Sequence, residues 1–406
     1  MSHVHGKKIL FLASIAALTS LGVDMCLPAV PAIDADLANG AAFGVLASSL
    51  FMAGFAVTPL IGGPLSDSLG RTRVMLIALG GFALAALGCA AAHSIFLFLL
   101  FRFMQGCASG MATTLPLAVV GDLLAGSAAR RMLSEIATLS SFMPVIAPAM
   151  GNLAIHLGGW RFLFAAQALF ALVVALSALR FPETLLRSAR QTFRLGAILR
   201  NCRFLLAQPV LRVHALVYGL LFASTFCFTA VSPLILIERM GMPRHRYAIV
   251  FAVNALGSIL GNASSAWLNS RCVSAPRIIS SGLVIATLSA GSAAALQWSR
   301  FASPVELLPA AFLALFGFNL AGPSILLEAL RPVPQLLGSG SGLLRFVFML
   351  MNFATSALLG VFCARYPRHV EAATAHSMAG LAAAALLLYL WSSHAGRQGQ
   401  SPNPGH

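Results

Sequence analysis

Apolar residues run in long blocks along this chain, and polar residues gather in short clusters between the blocks. A helix needs about 20 mostly apolar residues to cross the hydrocarbon core of a bilayer. Blocks of that kind lie near 9–31, 43–65, 74–92, 95–120, 135–157, 161–180, 211–236, 247–269, 277–298, 305–328, 338–362 and 373–391. The pattern predicts an all-α membrane protein with twelve transmembrane helices. Gly and Pro recur inside the blocks, as membrane helices tolerate. Lys7 and Lys8 precede the first block, as the charged start of a secretory leader would. The block runs on to Pro31 and many more follow, so it reads as a first membrane helix and not a cleaved leader.

The longest polar stretch carries seven arginines from Arg180 to Arg212. It divides the chain into a six-helix half over 1–181, a linker over 182–210, a second six-helix half over 211–392 and a tail over 393–406. Asp122 and Glu328 close the fourth and tenth blocks at matching places, a sign of the internal repeat from which many transporters are built. The linker reads as cytoplasmic, with an amphipathic segment suited to an anionic leaflet.

Charge orients the blocks. With both termini in the cytoplasm, 17 of the 26 basic residues fall on that side and seven on the other. That excess follows the positive-inside rule. Arg102 and Arg345 remain, both inside blocks. The formal charge of +15 therefore points to a bilayer and not to nucleic acid. With 59% hydrophobic and 9% charged residues, the chain cannot cover a water-facing surface. Seven cysteines at 26, 89, 107, 202, 227, 272 and 363 form no C-x-x-C pair and read as small buried residues, with no disulfide framework or metal site. No H-x-x-H, G-x-S-x-G or phosphate-binding G-x-x-x-x-G-K-[ST] pattern is present, so an enzyme and an ATP-driven pump are disfavoured and no cofactor is expected.

Between the second and third blocks stands Gly63-Pro-Leu-Ser-Asp67-Ser-Leu-Gly70-Arg71-Thr-Arg73. The glycines permit a tight turn and close helix approach, and Asp67 suits the positive end of a neighbouring helix. Arg71 is placed to pair with Asp122. This stretch resembles the signature loop of the major facilitator superfamily, a fold of two pseudo-symmetric six-helix halves. The resemblance implies a gate in which Asp67 meets the eleventh helix and locks the halves on the cytoplasmic side.

In the fourth block, Arg102-Phe-Met-Gln105-Gly106-Cys-Ala-Ser-Gly110 resembles a second pattern of the superfamily. An arginine at depth costs about 2.5–3.5 kcal/mol on insertion scales, so it should face a partner or water. Asp24 is the only acid well inside a block. It lies seven residues before Pro31, and Arg102 about seven residues into the fourth block, so the two should share a depth. They are expected to meet directly or across a shared cavity, as either a proton-binding acid tuned by an arginine or an ion pair that only positions helices.

The stretches Asp24-Met-Cys-Leu-Pro28-Ala-Val-Pro31, Gly159-Trp160-Arg161 and Pro182-Glu183-Thr184 resemble those of Bcr/CflA drug:proton antiporters. That likeness implies proton-driven efflux of small amphipathic compounds such as chloramphenicol or bicyclomycin, across a bacterial inner membrane, by a monomer. A dedicated exporter of one metabolite, self-made antibiotic or siderophore is the alternative. Pro144, Pro148 and Gly151 resemble the antiporter motif that bends helix five and seals it against helix eight, although Ala147 and Asn152 stand where glycines are common. Asn152 either lines the cavity or makes a helix-packing hydrogen bond. Phe222, Phe226, Phe228, Asn254, Asn319 and Met349 are candidate cavity liners. Arg345 either contacts an acidic substrate or pairs with Glu328 or Glu135.

Overall fold

The structure, a computed structural model, describes residues 2–37, 44–124, 126–186, 188, 190, 192–297, 304–333 and 336–398. Arg187, Arg300 and the end of the expected tail lie outside the described residues, as do the side chains of Arg130 and Arg397.

Among the described residues, eleven helical stretches are long and apolar enough to cross a membrane. One of them, Arg131–Leu179, has 49 residues. At 1.5 Å per residue that is more than twice the ~30 Å of a hydrocarbon core. It turns back at Gly158 and Gly159, where Gly159 has a φ of 76° that side-chain-bearing residues rarely adopt. The stretch is therefore spans five and six, and the total is twelve. The remaining spans are Gly6–Leu37 (one), Val45–Leu69 (two), Arg71–Ala90 (three), Ile95–Leu123 (four), Pro209–Arg239 (seven), Arg244–Ser270 (eight), Ala275–Leu296 (nine), Leu307–Leu330 (ten), Ser339–Arg365 (eleven) and Pro367–Ser393 (twelve).

The two halves repeat one set of neighbours. Span two packs on four and span three on four and six; span eight packs on ten and span nine on ten and twelve. Between the halves, span two runs along eleven and span five along eight. Exchanging the halves turns the first of those pairs into the second, which is the pseudo-two-fold expected of a duplicated transporter. Ser49 in span two donates to Ser356 in span eleven at 2.8 Å, a buried polar tie across this seam. Close approach within the first half comes from small residues: a β-carbon at Gly106 would strike the Phe51 carbonyl of span two.

Three spans of the first half are broken. Span one loses the regular α-helical hydrogen-bond register at Asp24–Cys26, with its dihedrals still helical, and resumes as a 3-10 turn over Leu27–Ala29 and a helix over Val30–Leu37. Span four is interrupted at Thr113 and Thr114, just ahead of Pro116, and span five at Phe142, just ahead of Pro144. Proline supplies no N–H to the preceding turn and crowds its carbonyl, which accounts for breaks at those places.

Among its described residues the linker contains one α-helix, Leu195–Ala207. Leu205 is buried against Leu211 and Leu343, while Leu195, Leu199 and Phe204 stay exposed beside the exposed Arg200 and Arg203. That distribution suits a helix lying in a bilayer interface.

Candidate functional site

The break in span one organises the site. In an unbroken helix the Met25 N–H would bond the Leu21 carbonyl. Here Asp24 N–H and Met25 N–H both bond the Ser20 carbonyl, at 2.8 and 3.2 Å. The Leu21 carbonyl is released and accepts instead from Nε2 of Gln167 in span six, at 2.7 Å. Gln167 Oε1 accepts from Gln105 Nε2 at 2.8 Å, and Gln105 Oε1 accepts from Arg102 Nη1 at 2.6 Å. A continuous polar thread thus runs from the fourth span through the sixth to the opened backbone of the first. Gly151 of span five packs directly on the Met25 carbonyl, closing the break from another side.

Asp24 itself stands at this break, hydrogen-bonded by the Ser20 side chain, and borders a central cavity of about 530 Å³ between the halves. The expected ion pair with Arg102 is absent. Arg102 is fully buried, bonds Gln105, and has its guanidinium carbon 4.8 Å from the Phe51 ring centroid and 5.7 Å from that of Phe164. A shared level along two helices says nothing about which way a side chain points around its helix. The guanidinium is held by aromatic faces and an amide in the packed interior, where cation–π contacts gain from desolvation. Span one also extends further than expected and carries two more acids, of which Asp34 is buried.

The cavity wall is mostly apolar, with several phenylalanines, scattered Ser and Thr hydroxyls, and amides from spans eight and ten. Phe222, Phe226, Phe228, Asn254, Asn319 and Met349 all line it, together with Met52 and Asn262. Asn262 donates to Asn319 at 3.1 Å. Pro144 lines it as well, whereas Pro148 is buried in span five. Span five does pack against span eight, but Gly151 faces span one and not eight. Two expected liners lie elsewhere. Asn152 borders no part of the cavity, and neither does Arg345. Arg345 pairs with neither acid proposed for it: Glu328 binds Arg331 at 3.5 Å and Glu135 binds Arg131 at 2.9 Å, each within one helical turn. Its electrostatic neighbour is Tyr218, part of an aromatic cluster with Phe348 and Phe318. Asp24 is the one ionisable side chain among the described residues lining the cavity.

The turn between spans two and three forms a compact charge cluster. Arg71 donates from Nε to Asp122 at 2.9 Å and from Nη2 to its other oxygen at 3.4 Å, so the expected pair is present and bidentate. Its Nη1 reaches Asp67 and Ser66. Asp67 therefore turns back to Arg71, four residues on, and among the described residues makes no hydrogen bond to span eleven, unlike the closed gate implied by resemblance. Gly70 has a φ of 101°, which side-chain-bearing residues rarely adopt, and a β-carbon there would meet the ends of the Glu183 and Arg190 side chains. Arg73 is exposed on the same turn, and Gly63 lies one helical turn before Asp67 with open space at its α-carbon.

Sequence reasoning missed the part played by Glu183. Its carboxylate accepts from the N–H groups of Arg71 and Thr72 at 2.9 and 3.3 Å, capping the start of span three, with Arg190 at 3.9 Å. A carboxylate there satisfies free amides and the helix dipole together. Thr184 donates to Asp122 at 2.9 Å, so the first residues of the linker are tied into the turn between spans two and three. Gln167 was also missed. Its one signal was a polar amide inside an apolar block, which in a membrane marks a partner or a pathway. At the far end of span one, Trp160 and Arg161 both donate to Asp36, and Arg161 bonds the Ala92 carbonyl at 3.3 Å, fastening spans one, three and six.

The model of the Major Facilitator Superfamily matches residues 12–356. This chain belongs to that superfamily. It is 31% identical over 267 residues to the multidrug resistance protein MdtL of Shewanella oneidensis, covering 65% of this chain and 67% of that one. It is 30% identical over 264 residues to the MFS-type transporter YdgK of Bacillus subtilis, covering 63% and 66%. The chain thus spans about two-thirds of the length of these relatives. Among solved structures it resembles the POT family transporter PepTSo with a TM-score of 0.73 at 15% identity, covering 97% of this chain and 99% of that one. It also resembles the human organic anion transporter MFSD10, with a TM-score of 0.67 at 20% identity and coverage of 95% and 99%. Those likenesses carry the fold. The chain is a multi-pass membrane protein of that superfamily.

Proposed function

We propose that the protein exports small amphipathic molecules in exchange for protons across a bacterial inner membrane, with both termini and the gate turn in the cytoplasm. One observation carries this reading: the cavity between the halves has mostly apolar, phenylalanine-rich walls and, among the described residues, a single carboxylate, Asp24, set at a break in span one. Apolar walls with a few polar groups suit a neutral or singly cationic cargo. Arg345 lies outside that wall, which argues against an anionic one. The multidrug resistance relatives support the same cargo class.

In this scheme cargo enters from the gate side while Asp24 is ionised. A proton arriving from the opposite side neutralises the carboxylate and removes its hold on the cargo. The return then carries the proton inward. No cofactor is used, and inward movement of each charge yields about 2.3 kcal/mol per 100 mV. The decisive experiment is a growth-inhibition panel in an efflux-deficient host, with and without a protonophore, for the unaltered protein and Asp24→Asn. Loss of resistance to several unrelated compounds in the variant is expected. Full resistance in Asp24→Asn overturns the proton role, and protection against one chemical class only would favour a dedicated exporter.

A further inference from the structure

The second half holds another cavity, of about 450 Å³, that shares no residue with the central one. It lies on the gate-turn face, between the beginnings of spans seven and nine and the ends of spans ten and twelve. Its walls include Pro209, His214, Pro276, Glu328, Tyr389 and Trp391. The His214 and Tyr389 rings meet edge to face, with centroids 6.2 Å apart at 84°. The His214 ring is tethered by Nδ1 to the Val210 carbonyl at 2.8 Å.

Glu328 gives this cavity its chemistry. The chain has only eleven acids, and one of them is set among aromatic rings at the level of the span ends. A carboxylate with aromatic faces around it is the arrangement that recognises ammonium groups. Its pair with Arg331 spans 3.5 Å and the Arg331 side chain is 79% exposed, so that pair is weak and leaves the carboxylate available. Carboxylate and guanidinium side by side also complement a headgroup that carries an ammonium next to a phosphate. On the same two helices Leu327, Leu387 and Trp391 are well exposed, forming an apolar flank that faces hydrocarbon in a bilayer. A soluble amine has no use for such a flank; an acyl chain does.

We infer that this cavity binds the headgroup of an ethanolamine phospholipid from the adjoining leaflet. The ammonium sits against Glu328 and the Tyr389 and Trp391 rings, the phosphate lies toward Arg331, and the acyl chains run along Leu327 and Leu387. The inference does not depend on the direction of transport or on the cargo.

Native mass spectrometry of the purified full chain tests it, with dioleoyl phosphatidylethanolamine, dioleoyl phosphatidylglycerol and dodecyltrimethylammonium as probes. The unaltered protein is expected to bind the ethanolamine lipid about fivefold to tenfold more tightly than the glycerol lipid, the scale of one cation–π and charge contact. Glu328→Gln and Trp391→Ala should each erase that preference, and Asp24→Asn should keep it. No preference in the unaltered protein, or an unchanged one in both cavity variants, overturns the inference. Binding of dodecyltrimethylammonium without any ethanolamine preference also overturns it, by assigning the cavity to cationic surfactants. Brominated-chain lipids give a second reading that needs no destabilising variant: the fluorescence difference between unaltered protein and Trp391→Phe should be quenched more by the ethanolamine lipid than by the glycerol lipid.

Discussion

Gln167 in span six donates a hydrogen bond to the Leu21 carbonyl, the acceptor that span one loses when its helix opens at Asp24. The break is thus held open by a side chain and is not a frayed segment. Replacing Gln167 with Leu would leave Leu21 O and Gln105 Nε2 without partners in a buried setting. Each orphaned group costs about 1–3 kcal/mol. The variant should unfold several degrees lower in detergent and transport poorly, whereas Gln167→Glu should retain part of the stability. An unchanged Tm for the Leu variant would show that the bond contributes nothing.

Asp24 and Arg102 should behave as independent sites. A double-mutant cycle on thermal stability, using Asp24→Asn and Arg102→Lys, should give a coupling below about 0.5 kcal/mol, the level of residues without shared partners. The same cycle on Arg102 and Gln105, bonded at 2.6 Å, should give about 1–3 kcal/mol. Strong coupling in the first cycle would restore the ion pair that depth alone suggested.

The linker clasp is testable by hydrogen exchange. Glu183→Ala removes the acceptor for two free amides of span three, so the Arg71 and Thr72 amides should exchange faster. The stability loss should be about 0.5–2 kcal/mol, as for other helix caps. Equal exchange rates in the variant and the parent would mean that water replaces the carboxylate without penalty.

Gly151→Ala should damage the protein out of proportion to one methyl group. The added carbon would collide with the Met25 carbonyl, which belongs to backbone and cannot rotate away. Folded yield and transport should both fall, while Gly121→Ala, with open space at the same distance, should be silent. Near-normal transport by the Gly151 variant would show that span five can shift without cost.

Legibility in the sequence followed the physics of each signal. The twelve spans could be read because lipid demands uninterrupted apolar length, and Arg71 with Asp122 could be read because charges at span ends have few partners to choose from. The contact of Arg102 could not, since it depends on rotation about helix axes, which no apolar block reveals. Gly158 and Gly159 hid a span boundary inside one continuous helical stretch, yet the boundary was legible from length. The place of Arg345 beside Tyr218, outside the cavity, was illegible for the same rotational reason as Arg102. Glu183 was visible only as part of a resemblance, because its role is to accept backbone N–H groups 111 and 112 residues away.

A cavity wall with one carboxylate also sets the electrical character of a transport cycle. Exchange of one proton for one uncharged molecule carries a net positive charge inward and is electrogenic. The same exchange for a singly positive molecule moves no net charge and is blind to voltage. Membrane potential alone would then favour export of neutral over cationic cargo, by up to about 2.3 kcal/mol per 100 mV. Within one pore, and without any change of contact, a cell's energisation would decide which compounds leave fastest.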